Sequence, residues 1–592
     1  MDRFVNGPTA LGVVKSLTGR HWIWRPINER TAERIIQASG LPDLLGRLLV
    51  ARNVPVERIA DFLEPKLRTY LPDPLVLADM EAATERLSEA VLKRETVAVF
   101  GDYDVDGACA GTLMAETLRS LGVPVINYVP DRLTEGYGPN PTALNTLVAR
   151  GASLIICVDC GTAAHDALAT VRGQAAVVVL DHHVSDTGPP QVAATVNPNR
   201  LDDRSGLGSI CATSVVFLTL VALQRLLRKK SFFAKRSEID LLLSLDLVAL
   251  ATICDVVPLT GLNRAFVSQG LRVMARRIRP GIAALLEVAQ AHGDPSVRTC
   301  AYALGPRINA AGRIARADLG IRTLMANDFE EALVLASELD EINRKRQTAE
   351  NLLLDMALIQ AEEQLKADAT FAFIGGADWH PGIVGIIAGR LKERFNRPAL
   401  VFGISQETAI GSGRSVPGID LGSAVIAARQ AGLLIKGGGH AMAAGFTLKS
   451  AQLKEFQTFL SDRLAAASRL PAAADLVLDG ALAPVSVDID LAQAIGRLGP
   501  FGTGNSEPTF GMAHVRVTKA DRIGRDGNTI RAIIEGEAGG RLKAMLFRAA
   551  ESPLAAALLR GGAPLHLAGQ VHIDRWNGST SVGFTIIDGA RT

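Results

Sequence analysis

The chain has 592 residues, of which 48% are hydrophobic and 21% are charged, a composition typical of globular proteins. At roughly 100–200 residues per domain, this length predicts about three to five domains. Lys and Arg number 63 against 61 Asp and Glu, which excludes a uniformly basic surface, so any contact with nucleic acid must use locally gathered positive charge.

The first two regions differ in their patterns. Residues 1–75 predict a small N-terminal helical lead-in. Residues 76–327 alternate helical patterns with the short apolar runs TVAVFGD, VPVINYVP, ASLIICVD, AAVVVLD and AATVNP. Runs that are apolar throughout are typical of buried parallel strands, so this region predicts a doubly wound α/β sheet. Ligands of such folds bind at the carboxyl ends of the strands.

Three further regions follow. Residues 328–368 contain no Gly or Pro and repeat Leu, Ile and Met at helical spacing, which predicts a long connecting helix. Residues 369–468 predict a second α/β domain, with strands at TFAFIG and PALVF. Residues 469–592 contain evenly spaced short strands between Gly-rich turns, which favours a barrel of the OB type that binds nucleic acid.

Acidic and histidine residues gather where the apolar runs end. Four short motifs carry them, GDYDVDG, VDCG, DHH and ATICDVVPL. Their side chains are Asp102, Asp104, Asp106, Asp159, Asp181, His182, His183 and Asp255. A single Asp at a strand end is usually a turn or helix cap, but four such motifs indicate a common site. Crowded carboxylates repel one another unless cations lie between them.

The type of residue indicates which cations these are. Carboxylate oxygens suit Mg²⁺ and Mn²⁺, and imidazole shifts the preference toward Mn²⁺. Two ions about 3.5–4 Å apart can share a carboxylate and activate a water against a phosphorus centre. The sequence therefore predicts a two-metal site.

Cys157 and Cys160 form a CxxC motif, which has a redox or zinc interpretation. The motif lies in a strand-like run and no second CxxC completes a zinc site, so buried thiols in a reducing compartment are favoured. The N-terminus lacks an apolar signal-peptide core and no apolar run reaches 18 residues. A cytoplasmic protein without membrane contact is expected.

The four motifs, in this order, resemble those of the DHH phosphoesterase superfamily. GGGHAMAAG (437–445) resembles the glycine-rich signature of the companion DHHA1 domain. Four further stretches narrow the resemblance to the RecJ-like single-strand-specific 5′→3′ exonucleases. They are GPRINAAGR, WHPGIVGIIAGRLKERFNRP, GSGRS and PFGTGNSEPTF, the last of which is expected to open the terminal barrel. The resemblance covers nearly the whole chain and is weakest over the first 75 residues.

The resemblance implies a role for each residue of the motifs. Asp104 and Asp106 would bind metal, and Asp159 would bridge two ions of Mn²⁺ or Mg²⁺. His182 and Asp255 would complete the ligand set of one of these ions.

Three residues complete this set. His183 would contact the scissile phosphate, and Asp181 would orient the histidines. Some relatives carry a His four residues before the DxD pair, where this chain has Phe100. Asp102 could therefore substitute as a metal ligand, a role that the resemblance leaves open.

End-directed cleavage needs a grip on the 5′-phosphate, and the Arg guanidinium binds phosphate with two parallel hydrogen bonds. The resemblance nominates residues that we expect in Gly-rich loops, where glycine lets the backbone approach nucleic acid. They are Arg132, Arg307, Asn309, Arg313, His380, Ser412, Arg414, Gly438, Gly439 and His440.

The function that these features imply is exonucleolytic hydrolysis of single-stranded DNA from its 5′ end to nucleoside 5′-monophosphates, in repair and recombination. The alternatives are a phosphodiesterase for short oligonucleotides or cyclic dinucleotides, and an inactive single-strand-binding scaffold. Single-strand-binding protein and a helicase are candidate partners, and a monomer is expected. The basic run RLLRKKSFFAKR (225–236) is either a landing surface for DNA or, as favoured, a solvated helix end.

Overall fold

The computed structural model describes residues 7–131, 134–185, 187–367, 369–465, 467, 473–524, 527–549, 552–576 and 579–592. The chain forms two units. The first comprises Asn28–Asn343 and Gln493–Glu507, and the second comprises residues 7–27, Arg344–Ala492 and Pro508–Thr592. Among the described residues, every helix is too short or too polar to cross a membrane.

The secondary structure follows in chain order. The strands are β1 (Trp22–Trp24), β2 (Val97–Gly101), β3 (Val125–Tyr128), β4 (Leu154–Val158), β5 (Ala176–Leu180), β6 (Ala194–Val196), β7 (Ala372–Ala377), β8 (Ala399–Ser405), β9 (Thr408–Arg414), β10 (Lys436–His440), β11 (Ala443–Lys449), β12 (Leu476–Leu478), β13 (Gly480–Ala481), β14 (Phe510–Ile523), β15 (Thr529–Gly536), β16 (Gly539–Leu546), β17 (Leu565–Trp576) and β18 (Ser579–Arg591). The α-helices are α1 (Glu29–Ser39), α2 (Asp43–Val50), α3 (Ile59–Leu63), α4 (Leu67–Tyr70), α5 (Met80–Lys93), α6 (Val105–Ser120), α7 (Pro141–Ala149), α8 (His165–Ala169), α9 (Ala212–Lys229), α10 (Leu245–Cys254), α11 (Gly261–Ala275), α12 (Pro280–Val288), α13 (Val297–Thr299), α14 (Gly305–Ile314), α15 (Leu319–Leu324), α16 (Phe329–Lys366), α17 (Pro381–Phe395), α18 (Leu421–Gln430), α19 (Leu453–Arg463), α20 (Ile489–Gly496) and α21 (Pro553–Arg560). A π-helical turn, Cys300–Leu304, joins α13 to α14.

A parallel sheet with the strand order β3-β2-β4-β5-β6 forms the centre of the first unit. Each strand corresponds to one of the five apolar runs, which confirms the predicted doubly wound α/β fold. The strand order reverses between β2 and β4, and in such folds ligands bind at this switch point. Asp102 follows β2 directly, and Asp159 follows β4 directly.

Alternate side chains of this sheet enter two separate hydrophobic clusters. Val99 and Ile156 face the larger cluster, to which α5, α6 and α9 contribute. Phe100 and Ile155 face the smaller cluster, to which α7 and α8 contribute. Because helices cover both faces, every position of β2, β4 and β5 is apolar, which explains the continuous apolar runs.

The second unit contains a sheet with the order β10-β11-β9-β8-β7, in which β7 and β8 are parallel and the other neighbours antiparallel. The structure differs from the sequence-based expectation here, because the first four residues of GSGRS lie in β9 and GGGH lies in β10 rather than in loops. A Cβ atom at Gly411 would lie 2.2 Å from the Phe446 ring. The glycine at this strand position therefore makes room for an aromatic ring.

Strands β14, β15, β16, β18 and β17 close into a barrel because β14 pairs with both β15 and β17. The closed barrel confirms the predicted OB-type domain. The register of β14 shifts between Met512 and Val515 and again between Val517 and Lys519. Such bulges bend a strand, which lets β14 serve two neighbours.

The sequence predicted a helical lead-in, but the first 75 residues are not entirely helical. β1 pairs in parallel with β12, and the buried Trp22 donates a hydrogen bond from Nε1 to Asp588 at 2.9 Å. Residues 7–27 therefore belong with the barrel, whereas α1 to α4 belong to the first unit. A three-residue strand is too short to show a hydrophobic period in the sequence.

The motif PFGTGNSEPTF is divided between the units rather than opening the barrel. Gln493–Glu507 belongs to the first unit, and β14 begins at Phe510. The buried guanidinium of Arg264 donates to the carbonyl oxygens of Phe62 at 3.0 Å and Gly499 at 2.5 Å. Carbonyl groups that are shielded from water need such donors, so Arg264 ties α3 and the segment at Gly499 to α11.

Candidate active site

Three aspartates lie at the junction of β2 and α6. Asp102 accepts a hydrogen bond from the Tyr103 backbone N–H at 2.8 Å, and Asp104 caps α6 by accepting from Gly107 at 3.0 Å. Asp106 lies in the first helical turn, where the helix dipole favours negative charge. A Cβ at Gly107 would lie 2.5 Å from the Asp102 carbonyl oxygen, so the turn requires glycine.

The N-terminus of α9 holds the Asp106 carboxylate. One oxygen accepts from the Ala212 N–H at 2.7 Å. The other accepts from the Thr213 N–H at 2.8 Å and from its hydroxyl at 2.6 Å. The carboxylate is buried and its orientation is fixed by three donors.

Asp159, at the end of β4, differs from Asp106 in having an unpaired oxygen. Its backbone has a φ of 59°, and its N–H donates to the Leu180 carbonyl oxygen at 3.0 Å. The carboxylate is buried, and Oδ1 has no hydrogen-bond donor among the described residues. Burial, and then the charges of Asp104 and Asp106, raise the pKa of Asp159 well above its usual value.

Asp181 forms hydrogen bonds with both histidines that follow β5. Its Oδ1 accepts from the His182 N–H at 2.8 Å and lies 2.8 Å from Nδ1 of His183, while Oδ2 accepts from the Thr162 N–H at 3.0 Å. Burial opposes ionisation, but the hydrogen bond and charge of His183 lower the pKa of Asp181 below its usual value. Burial also disfavours the charged form of His183, yet the bond to Asp181 raises its pKa to about 9.

The histidines bring the motifs together. His182 Nε2 lies 3.3 Å from Asp159 Oδ1 and 3.8 Å from Asp106 Oδ2, and Nδ1 lies 3.7 Å from Asp255 Oδ2. The potential ligand atoms form three groups, each with its members within 4.8 Å of one another. The groups are Asp102, Asp104 and Asp159; Asp106, His182 and Asp255; and Asp159, His182 and His183.

The chemistry of these groups fits divalent cations. Burial, followed by the charges of Asp106 and Asp104, raises the pKa of Asp255 to about 8. The Oδ1 atom of Asp159, which finds no donor in the described part of the chain, lies in the same cluster. A cation would neutralise the repulsion and pair with this oxygen, and oxygen ligands with one imidazole suit Mn²⁺ and Mg²⁺. The first two groups share no residue, so together they offer ligands for two ions.

Three positioning residues were missed by the sequence analysis. Asn197 donates to the His183 carbonyl oxygen at 2.9 Å, and Asn199 donates to the His182 carbonyl oxygen at 2.6 Å. Both residues follow β6, at the edge of the sheet where the acidic motifs lie, so their position after an apolar run could have identified them in the sequence. The hydroxyl of Tyr137, from the loop after β3, donates to the Asp159 carbonyl oxygen at 3.1 Å.

The nominated phosphate-binding residues of the first unit are in different situations. Arg132 lies outside the described residues. Arg307 forms an ion pair with Asp340 at 2.8 Å, so its guanidinium is already engaged. Asn309 accepts from the backbone N–H of Val105 at 3.1 Å, which joins α14 to the first acidic motif.

Arg313 and the preceding glycine lie further along α14. The Arg313 side chain is half-buried. A Cβ at Gly312 would lie 2.3 Å from the Tyr103 ring, so α14 contacts the first acidic motif closely.

The nominated residues of the second unit include a polar row across its sheet. Arg414 lies opposite Ala443, which lies opposite His440, so their side chains share one face. Arg414 donates to the Ser412 hydroxyl at 2.8 Å, and burial lowers the pKa of Arg414.

Glycines form the adjacent row of this sheet. Gly438 lies opposite Gly445, and a Cβ at either position would meet no atom within 4 Å. Gly439 has a φ of 151°, and a Cβ there would lie 2.3 Å from the Ala443 carbonyl oxygen. His380 caps α17, its Nδ1 accepting from Gly382 at 3.1 Å.

Three of the six basic residues in the run 225–236 form ion pairs with carboxylates. The ion pairs are Arg225–Asp73, Arg228–Glu238 and Lys230–Glu85. These pairs agree with the interpretation of this run as a solvated helix end.

Comparison with known proteins places these features in a family context. Three family models match: the DHH family N-terminal domain at residues 96–252, the DHHA1 domain at 367–466 and the RecJ OB domain at 478–588. The single-stranded-DNA-specific exonuclease RecJ of Escherichia coli K12 is 36% identical over 85% of this chain and 88% of its own. The Bacillus subtilis 168 enzyme of the same name is 31% identical over 96% of this chain and 70% of its own.

A solved structure agrees with these relatives. The crystal structure of Thermus thermophilus RecJ in complex with Mn²⁺ matches with a TM-score of 0.78 at 27% identity, over 96% of this chain and 79% of the other. The structure of that protein with Mg²⁺ matches with a TM-score of 0.73 at 26% identity, over 96% and 78%.

Proposed function

The chain belongs to the RecJ family, and on this basis we propose that it is a metal-dependent exonuclease. It hydrolyses single-stranded DNA from the 5′ end to nucleoside 5′-monophosphates, in DNA repair and recombination. The observation that carries this proposal is the cluster of carboxylates and imidazole at the switch point, where the buried Asp159 Oδ1 has no donor among the described residues.

The two groups that share no residue hold the two ions in this proposal. Asp102, Asp104 and Asp159 would hold one ion, and Asp106, His182 and Asp255 would hold the other. Asp159, whose Oδ1 lies 3.3 Å from His182 Nε2, would be the carboxylate shared by both. Bound Mn²⁺ or Mg²⁺ supplies a water of lowered pKa and neutralises charge on the phosphate. The protein supplies ligands whose positions are fixed before the substrate binds.

His183 has a separate role in the proposal. Its bond to Asp181 holds the ring and favours the imidazolium, as the pKa of about 9 indicates. An imidazolium fixed at Nδ1 can donate from Nε2 to a non-bridging phosphate oxygen. Asn197 holds the backbone of His183, and so keeps this donor in place.

The face of β9 and β10 that carries Ser412, Arg414 and His440 is proposed to grip the 5′-phosphate. Arg414 already has Ser412 as a neighbour, and a planar guanidinium suits phosphate oxygens. The bare row of Gly438 and Gly445 lets a nucleotide backbone approach the sheet. The other residues proposed to contact the substrate are Arg132, Gly439, Arg313, Asn309 and His380. Arg307 is proposed to position α14 through its ion pair with Asp340.

Digestion of an oligonucleotide of several tens of nucleotides, labelled at either end, tests the proposal. The single strand and the blunt duplex are incubated with Mn²⁺, Mg²⁺ or EDTA. We expect metal-dependent loss of the 5′ label from the single strand alone, abolished in Asp159→Ala and retained in Asp166→Ala, a control at an exposed aspartate of α8. Cleavage of di- to tetranucleotides alone supports the small-substrate phosphodiesterase, and binding without cleavage supports the scaffold.

The proposed surroundings follow from the substrate. Duplex DNA must be opened before a single-strand enzyme can act, so a helicase is a proposed partner, and single-strand-binding protein is another. We propose a cytoplasmic monomer, and sedimentation velocity with and without an oligonucleotide measures its oligomeric state.

A further inference from the structure

Two irregular backbone segments near Asp255 each carry an exposed apolar side chain. Val256 has a φ of 59°, which is costly for a β-branched residue, and its side chain is 65% exposed. Tyr302 lies in the π-helical turn and is 72% exposed. Strained backbone and π turns both concentrate at functional sites.

The π turn lies against the end of α10, which Asp255 follows directly. The thiol of Cys254 donates to the Cys300 carbonyl oxygen at 3.6 Å. A Cβ at Gly305 would lie 2.6 Å from the Cys254 sulfur, so the two segments touch. Tyr302 is therefore carried by a turn that packs beside the fourth acidic motif.

The same helical run reaches the first acidic motif. The π turn continues into α14, where Asn309 binds the Val105 N–H at 3.1 Å. Tyr302 precedes Asn309 by seven residues, which at 1.5 Å per residue is about 10 Å along the helix axis. The exposed ring thus lies on an element anchored at two motifs of the acidic cluster.

We propose that Tyr302 binds a nucleobase of the single-stranded substrate by stacking, with the exposed Val256 as a second apolar contact for the strand. The proposal rests on the proposed exonuclease function and adds the contact that holds a base near the reacting phosphate. Every base has a π face, so stacking on an aromatic ring suits an enzyme that accepts any sequence. Neither exposed side chain contributes to the core, and contact with the substrate would explain why both are exposed.

Tyr302→Ala tests the stacking, and Tyr302→Phe is the matched control because it keeps the ring. The rate of release of the first nucleotide under limiting enzyme gives kcat/KM for a 5′-phosphorylated strand with Mn²⁺. We expect Tyr302→Ala to lower kcat/KM by about 5- to 100-fold, the range for one lost stacking contact, mainly through KM. Tyr302→Phe should lie within about two-fold of the wild type.

A series of strands with one abasic position identifies the base. At the stacked position, removal of the base should weaken the wild-type protein but leave Tyr302→Ala nearly unaffected, because the contact is already lost. Abasic sites elsewhere should affect both proteins equally. Leu242→Ala, which truncates another exposed apolar residue just before α10, is the control for a general surface effect.

The outcomes separate this proposal from the proposed function. Fluorescence anisotropy of the labelled strand in EDTA measures binding without hydrolysis, so an effect of Tyr302→Ala there stands even if no cleavage occurs. The stacking proposal is overturned if Tyr302→Ala binds and cleaves like the wild type. It is also overturned if Tyr302→Phe or Leu242→Ala loses as much affinity, or if no abasic position abolishes the difference. Thermal unfolding of each variant verifies that it is folded.

Discussion

Without divalent metal, the stability of the folded protein should fall as the pH rises from 6.5 to 8. Burial and the charges of Asp106 and Asp104 raise the pKa of Asp255 from 3.8 to about 8. In this pH range, the folded metal-free protein keeps a proton on Asp255 that the unfolded chain has released. Unfolding then releases a proton, so a higher pH favours the unfolded state.

The size of the effect follows from the number of protons. One extra bound proton changes the free energy of unfolding by about 1.4 kcal/mol per pH unit, so Asp255 contributes about 2 kcal/mol across this window. His183 acts in the same direction because its pKa is raised from 6.5 to about 9. Its side chain is 47% exposed, and solvent screening reduces its share. The lowered pKa of His566 has the opposite effect, but mainly below pH 6.5.

Urea unfolding in EDTA, at half-unit steps across this window, measures the dependence. Saturating Mn²⁺ should make the dependence shallower, because the ion favours the ionised carboxylates. Asp255→Asn removes one titrating group and should also reduce the slope in EDTA. Stability that is constant or rises with pH in EDTA, or an Asp255→Asn slope equal to that of the wild type, would refute the reasoning.

Three substitutions test the supports of the site and the fold. Thr213→Val removes the hydroxyl that binds Asp106 at 2.6 Å and should weaken Mn²⁺ binding about 10- to 100-fold in calorimetry, whereas Thr213→Ser should retain it. Arg264→Ala removes the Arg264 donor from two partly buried carbonyl oxygens and should cost about 1–3 kcal/mol in urea unfolding. Gly411→Ala places a Cβ 2.2 Å from an aromatic ring and should cost about 1–3 kcal/mol, unlike Gly445→Ala, where the space is open.

The acidic cluster could be predicted because its residues lie at a fixed place in a repeating pattern. Asp102, Asp159 and Asp181 each follow an apolar run directly, and parallel neighbouring strands bring such positions to one edge. Asp255 follows a helix instead, and its proximity to His182 depends on packing that no local pattern encodes. For Asp255, the sequence therefore showed the motif but did not predict which side chains lie near it.

The glycine-rich segments show why local composition can mislead. Glycine has low strand propensity, so GSGRS and GGGH favoured loops. In the structure, Gly411 lies in a strand because Phe446 occupies the space of its side chain. That requirement comes from a residue 35 positions away in sequence, and it appears only once the strands are paired. The hydrogen bonds of Asn197 and Tyr137 are likewise set by loop conformations rather than by periodicity.

Four of the buried or half-buried carboxylates of the site are held in two different ways, and the difference indicates two different dependences on metal. Asp106 and Asp181 accept several hydrogen bonds from backbone and side-chain donors, which stabilise their charge without a metal. Asp159 has a buried oxygen that accepts no hydrogen bond from any described residue, with the His182 ring 3.3 Å away, and Asp255 has a pKa raised to about 8. Because a protein can leave a buried charge unpaired only at high cost, the second pair depends on a cation far more than the first. Metal removal should therefore change the protonation of Asp159 and Asp255 while Asp181 stays ionised, a contrast that carboxylate-specific infrared difference spectra of Asp→Asn variants can measure.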